Sequence, residues 1–397
     1  MSGPLDGIRV VEMGVWVAGP SCAAILADWG AEVVKVEPPA GDPFRSMEAV
    51  YGGTNPPFEL DNRGKRSIAV DLATEAGREV VHSLLAQADV FVTNYRTGGL
   101  ERAGLDFPAL RERYPRLVYA AVTGYGLAGP ERDRAAYDVG AFWGRAGVVH
   151  ALTPAGGQLP YQRGGMGDHM TGMAAAAGVS AALFHRERSG QGQLVSASLL
   201  RLGAYMLGWD HNVTARLGVD TEPVSRTAPP NPLINGYPCG DGTWLWLLGL
   251  EADRHWPDVV RALGHPEWAD DPRWSTIEGR RDHSAALVTA IEEALSARSR
   301  AEWGEIFDRE DVWWSPVQST LDLRHDPQAA AAGCYVEVPS PDGGTVEMVA
   351  SPVDFSDTRW EVRSPVPELG QDTELILLEL GYEWDTIAEL KERGVIP

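Results

Sequence analysis

Asp168 sits in the stretch Gly164-Gly165-Met166-Gly167-Asp168-His169-Met170-Thr171-Gly172, just ahead of four alanines at 174–177. A carboxylate opening a helix is stabilised by free backbone N–H groups and the helix dipole. Small neighbours also let a substrate approach it closely. Two uses follow: the carboxylate caps the helix, as the local sequence alone favours, or it faces a substrate that approaches over the small residues. His169 is adjacent, but consecutive helical residues point in different directions, so the two do not bond to each other. His150 and His211 stand isolated in the sequence.

Cations gather in the first half. Asn62-Arg63-Gly64-Lys65-Arg66 is a compact basic turn, and Arg45, Arg96 and Arg102 fall near expected strand ends. The planar fork of arginine suits phosphate groups, and loop-end N–H groups add to it. Gly124-Tyr125-Gly126-Leu127-Ala128-Gly129 spells a GxGxxG after an expected strand. It is a poor dinucleotide fingerprint, because Pro130-Glu131-Arg132-Asp133-Arg134 follows where that motif needs an apolar helix. The sequence has no Walker-type loop, GxSxG, HExxH or paired CxxC.

The elements that must position these groups alternate. Apolar runs predict strands at 8–13, 32–36, 68–72, 90–93 and 117–123, with helices at 21–29 and 74–88 between them. That alternation predicts an α/β domain with a Rossmann-like, mainly parallel sheet covered on both faces. Ligands on such sheets bind beyond the carboxyl ends of the strands. The rule directs attention to residues 15–20, 38–45, 94–102 and 124–129. An alanine-rich helix is expected over 168–188, a strand at 193–196, then a helix to about 217. Prolines at 223, 229, 230, 232 and 238 mark a linker. Beyond it come a short strand at 244–248, amphipathic helices at 284–297 and 300–309, strand and turn signals over 334–353 including Pro341-Asp342-Gly343-Gly344, and a helix near 372–380.

At 397 residues the chain has room for two or three domains. Its formal net charge of −22 opposes general binding to nucleic acid or anionic membrane, yet permits a small polyanion in a local basic pocket. Cys22, Cys239 and Cys334 lack metal-ligand spacing, and an odd count fits a reducing compartment. The N-terminus lacks the pattern of a signal peptide, and no window reaches 18 uninterrupted apolar residues. The expectation is a cytoplasmic protein with no nucleic-acid or membrane partner.

Several segments in series resemble the class III CoA-transferase family. They are Pro4-Leu5-Asp6-Gly7-Ile8-Arg9-Val10, Ala18-Gly19-Pro20, the run from Leu26 to Glu37, Gly41-Asp42-Pro43-Phe44-Arg45, Asn62 to Ile68 and Asp89 to Tyr95. Thr123-Gly124-Tyr125-Gly126 with Gly129-Pro130 is similar to a glycine motif of the family, Gly167-Asp168 to its catalytic aspartate, and Gly190-Gln191-Gly192-Gln193 to the strand that follows. The resemblance implies a large domain whose sheet is formed by both chain ends (1–220 and 329–397), a smaller inserted α+β domain (221–328) and an interlinked homodimer.

It also implies a function: moving CoA from an acyl-CoA to a carboxylic acid through mixed-anhydride and aspartyl-CoA thioester intermediates on Asp168, with CoA as substrate and no metal. By position, Val15, Trp16, Val17 and Ala18 would line the adenine or pantetheine path. Leu72 and Asn94 would contact CoA, Arg96 and Arg102 would serve its phosphates, and Arg45 and Tyr137 would complete the set, with Tyr137 or Asp138 shaping the acyl pocket. The related α-methylacyl-CoA racemases need a histidine where this chain reads Ala136-Tyr137-Asp138, and tyrosine is a poor neutral-pH base. A non-catalytic acyl-CoA-binding protein is the other alternative. Pro229-Pro230-Asn231-Pro232 stands where some members carry a glycine-rich loop, so gating differs. Trp143, Trp209, Trp244, Trp246, Trp313 and Trp314 hint at an apolar acid, although core packing accounts for them more simply.

Overall fold

The computed structural model describes residues 3–340 and 343–397. Met1, Ser2, and Pro341 and Asp342 of the expected turn lie outside the described residues. The chain divides into two compact units, one of residues 1–149, 161–219 and 333–397, the other of 150–160 and 220–332.

In chain order the first unit begins with β1 (Arg9–Met13), α1 (Ala18–Asp28), β2 (Glu32–Glu37), a 3-10 helix (Pro43–Tyr51), α2 (Pro56–Asn62), β3 (Lys65–Ala69), α3 (Glu75–Leu85) and β4 (Val90–Thr93). There follow α4 (Thr97–Ala103), α5 (Phe107–Arg113), β5 (Val118–Thr123), a π-helical turn (Val139–Arg145), α6 (Val148–Ala151), α7 (Met166–Ser189), β6 (Leu194–Ser198), α8 (Leu199–Met206) and α9 (Gly208–Leu217).

The six strands form one sheet in the order β3-β2-β1-β4-β5-β6, with every pairing parallel. Alternate residues face opposite layers. Val10, Val33, Val90, Val92 and Ala120 pack against α1 and α7, while Val11, Met13, Val36 and Phe91 face α3 to α5 and the C-terminal helices. Gly172 of α7 sets the closeness of the first layer, since a Cβ there would lie 2.0 Å from Ser21 Oγ of α1.

Two expectations need correcting. β3 starts at Lys65, not Ile68, because two charged strand residues are fully paired inside the protein. Lys35 donates to Glu12, Asp42 and the Gly14 carbonyl, and Lys65 donates to Glu12, Asn62 and the Pro20 carbonyl. A search for apolar runs passes over such positions, whereas buried ions are tolerated once paired. Nor is the sheet built from both chain ends: all six strands precede residue 199. The returning segment contributes a hairpin, β10 (Tyr335–Pro339) and β11 (Thr345–Val349), and helices α16 (Thr373–Glu379) and α17 (Trp384–Glu392). Ile376, Leu377, Ile387 and Leu390 of those helices cover one face of the sheet.

The second unit carries an antiparallel sheet, β7 (Ile234–Pro238), β8 (Trp244–Leu248) and β9 (Trp314–Val317). Helices α10 (Ala252–Ala262), α11 (Ile277–Asp282), α12 (Ser284–Leu295), α13 (Arg300–Arg309), α14 (Thr320–Arg324) and α15 (Pro327–Ala331) belong with it. Tyr237, Trp256, Trp274, Trp303 and Phe307 lie in its core. Trp244, Trp246 and Trp313 stay partly exposed there. No helix among the described residues is long and apolar enough to cross a membrane.

Candidate active site

The sheet order reverses between β1 and β4, and the chain leaves both strands at the same edge. Such a switch point is open because the two following connections diverge. Asn94, one residue past β4, bridges the gap: its Oδ1 accepts from Val15 N at 2.9 Å and its Nδ2 donates to Val15 O at 2.7 Å. Trp16 N donates to Asp42 Oδ1 at 3.1 Å, and Asp42 is anchored by buried Lys35 at 3.1 Å. These bonds hold Trp16 at φ +63°, a left-handed conformation that disfavours a bulky side chain. Its indole meets Phe44 at 5.7 Å and the edge of Tyr137 at 5.6 Å.

Asp168 lies in the first turn of α7, inside the helix; Gly165, at φ +73°, occupies the capping position. The carboxylate makes no hydrogen bond or ion pair among the described residues and faces a cleft of about 500 Å³. Burial, the Asp138 carboxylate and Asp61 push its pKa up to about 7, against the opposing pull of His169. Asp138 is itself held close: its Oδ2 accepts from Gly167 N at 3.2 Å, and a Cβ on Gly167 would lie 2.7 Å from Asp138 Oδ1.

Seven of the expected contacts, Val15, Trp16, Ala18, Asn94, Arg96, Arg102 and Tyr137, line this cleft with Asp168. Three do not. Arg45 closes a bidentate pair with Glu37, at 2.9 and 2.7 Å, and donates to Pro367 O, so its guanidinium is committed away from the cleft. Leu72 packs against the sheet core, and Val17 is buried with Phe44 and Phe58. Arg96 and Arg102 carry no carboxylate partner among the described residues. Arg132 and Arg134 also reach the cleft, but pair with Glu101 and Asp133, and with Glu131.

The GxGxxG segment turns at Gly126 and Gly129 without starting a helix, so it is no dinucleotide loop. Gly124 lines the cleft, and a Cβ there would lie 2.1 Å from that of Ala136. Tyr95, Thr97 and Thr123 also line the cleft, although none of them stood among the contacts expected from the sequence. Their signal was their place at or just past the ends of β4 and β5. Trp16 is the only tryptophan lining it among the described residues; Trp143 is buried and Trp209 exposed.

Residues 5–373 match the sequence model of CoA-transferase family III. The chain belongs to that family. It is 33% identical over 397 residues to (R)-2-hydroxy-4-methylpentanoate CoA-transferase of Clostridioides difficile, covering 99% of each chain. It is 34% identical over 401 residues to cinnamoyl-CoA:phenyllactate CoA-transferase of Clostridium sporogenes, covering 98% of this chain and 96% of that one. A CAIB/BAIF family protein from Brucella suis superposes with a TM-score of 0.85 at 30% identity, over 96% of this chain and 100% of that structure. As a class III CoA-transferase this chain is an enzyme acting on CoA thioesters, and the racemase alternative is not favoured.

Proposed function

We propose that Asp168 is the nucleophile of a CoA transfer between two carboxylic acids. The observation that carries this reading is a carboxylate at the switch-point edge that is unbonded among the described residues, in one cleft with two arginines that have no carboxylate partner among them. A carboxylate oxygen of Asp168 attacks the thioester carbonyl; the C–S bond breaks and CoA thiolate leaves, giving a mixed anhydride. The thiolate attacks the aspartyl carbonyl and releases the donor acid, giving an aspartyl-CoA thioester. An acceptor carboxylate attacks that thioester and displaces the thiolate. The thiolate then attacks the acceptor's acyl carbon, freeing Asp168. The thioester's energy is conserved at each step, so no ATP is consumed. The partly buried site disfavours hydrolysis of either intermediate.

CoA is a substrate here. Arg96 and Arg102 are free to meet its phosphates, while Val15, Trp16, Ala18 and Asn94 flank the path towards Asp168. The aromatic group of Trp16, Phe44 and Tyr137 beside that path favours an acid with an apolar or aryl side chain. The acids for which the Clostridioides and Clostridium relatives are named are of that kind. Three unpaired thiols fit a cytoplasmic setting.

Incubation with cinnamoyl-CoA, 2-hydroxy-4-methylpentanoyl-CoA, succinyl-CoA and formyl-CoA, followed by hydroxylamine and peptide mapping, is expected to yield a hydroxamate on Asp168. The apolar donors should label most. Turnover of a donor with no adduct on Asp168 would sink the reading, and turnover of none would favour a binding protein.

The reading includes a homodimer. Phe184, Tyr205 and Trp209, on α7, α8 and α9, are 65%, 80% and 86% exposed, aromatic side chains that a second copy would cover. Sedimentation at micromolar concentration should show a dimer; a monomer would exclude it.

A further inference from the structure

Asp61 and His169 form a pair that the transfer chemistry above leaves unused. Asp61, on α2, is 1% exposed, and its Oδ1 lies 2.9 Å from His169 Nε2. Its Oδ2 is buried without a hydrogen-bond partner among the described residues. An ionised buried carboxylate needs a cation, and His169 is the group in contact with it. His169 follows the nucleophile on α7, and its side chain is 42% exposed. Its ring packs beside Gly165, where a Cβ would lie 3.3 Å from Cε1 and 3.5 Å from Nδ1. The ring is thus held by Asp61 at Nε2, with the glycine turn beside its Nδ1 and Cε1 edge.

We infer that Asp61 and His169 are positioning residues, holding an imidazolium next to Asp168 so that the nucleophile ionises more readily than its burial and the neighbouring Asp138 would otherwise allow. The inference rests on the reading of Asp168 as nucleophile. Asp138, at the start of the π-helical turn, and Asp61 repel the Asp168 carboxylate, and His169 attracts it. Behind Asp61 stand the buried ammonium groups of Lys65 and Lys35, both already bonded to Glu12. Asp28 and Arg63 line the same small apolar cavity as His169, but are closed on each other at 2.8 Å.

Burial by itself would lower the His169 pKa, yet the carboxylates of Asp61, Asp168 and Asp138 carry it above the ordinary imidazole value. Burial raises that of Asp61, against the pull of His169 and the two lysines. A raised imidazole pKa keeps the cation present to higher pH, where Asp168 must be ionised to attack. Removing the cation leaves only repelling charges around Asp168, so ionisation moves to higher pH.

The test is the pH profile of kcat/KM for His169→Gln and Asp61→Asn. His169→Gln should move the acid limb upward by about one pH unit, a roughly 10-fold loss on that limb that shrinks as pH rises. Asp61→Asn should move it in the same direction by less, because it also removes a repelling charge. A purely structural role would lower the whole profile and leave the limb in place. Should Asp61→Asn not fold, His169→Gln alone decides, its side chain being partly exposed. Asp168→Asn run alongside separates the two failures. If it is inactive while both variants keep the wild-type limb, the role of the pair is overturned. If it is as active as wild type, the reading of Asp168 falls and this inference with it.

Discussion

Asp168→Asn is expected to turn over acyl-CoA roughly 10³-fold more slowly than wild type, or worse, and to be more stable at pH 8. The amide cannot supply the oxygen nucleophile, so neither anhydride nor aspartyl thioester forms; acyl-CoA binding should persist. The stability gain follows from the carboxylate's environment. Its pKa is raised to about 7 in the folded chain, above an unfolded value of about 3.9. Between those two values the folded state binds a proton that the unfolded state has lost, so this group's contribution is most favourable below about pH 4. It declines as pH rises, and the cost is complete above pH 7. Asparagine carries no such cost. With a discount for partial solvent access, the gain at pH 8 is about 1–2 kcal/mol. Urea unfolding at pH 8 and pH 4 measures it: the gain should vanish at the lower pH. An active variant, or one equally stabilised at both pH values, would contradict the assigned role or the assigned electrostatics respectively.

Replacing Arg96 and Arg102 by alanine is expected to raise KM for acyl-CoA by roughly 10- to 100-fold per residue, with a smaller effect on kcat. A charge-assisted hydrogen bond to phosphate is worth about 1.5–3 kcal/mol, and the protein's net charge of −22 makes local cations more necessary for a polyanion. An acylated pantetheine, which lacks the nucleotide phosphates, discriminates between explanations. Wild type should prefer acyl-CoA strongly, and the double variant should lose most of that preference. Equal losses on both substrates would show that the arginines shape the cleft and do not read phosphate. Arg45→Ala should leave the preference intact, because its guanidinium is spent on Glu37.

How much of this was legible in the sequence depended on distance along the chain. Strands β1, β2, β4 and β5 lay within a residue of their expected bounds because apolar runs of four to six residues are a local signal. The site loops were legible for a related reason. A parallel sheet brings all its carboxyl ends to one edge, so residues 15–18 and 94–102 had to gather once the strands were known. Arg45 looked like a free cation at a strand end. Glu37, eight residues earlier, was the available warning.

Local pattern also misjudged what was charged and buried. Lys35, Lys65 and Glu12 sit inside the sheet layer because they satisfy one another across β1, β2 and β3, a match absent from any single segment. Adjacency on a helix correctly ruled out a bond between Asp168 and His169. The actual partner of His169, Asp61, lies 108 residues away. By itself the sequence determined the alternating layers and the edge where ligands gather, since both follow from periodicity and strand direction. The reading of Asp168 came from the family resemblance, because its local pattern alone favours a helix cap. Only the tertiary structure decided which ionisable groups surround that carboxylate. Buried charges are stabilised by whatever the fold brings within about 3 Å, and contacts across helices and strands leave no mark on the local pattern of either partner.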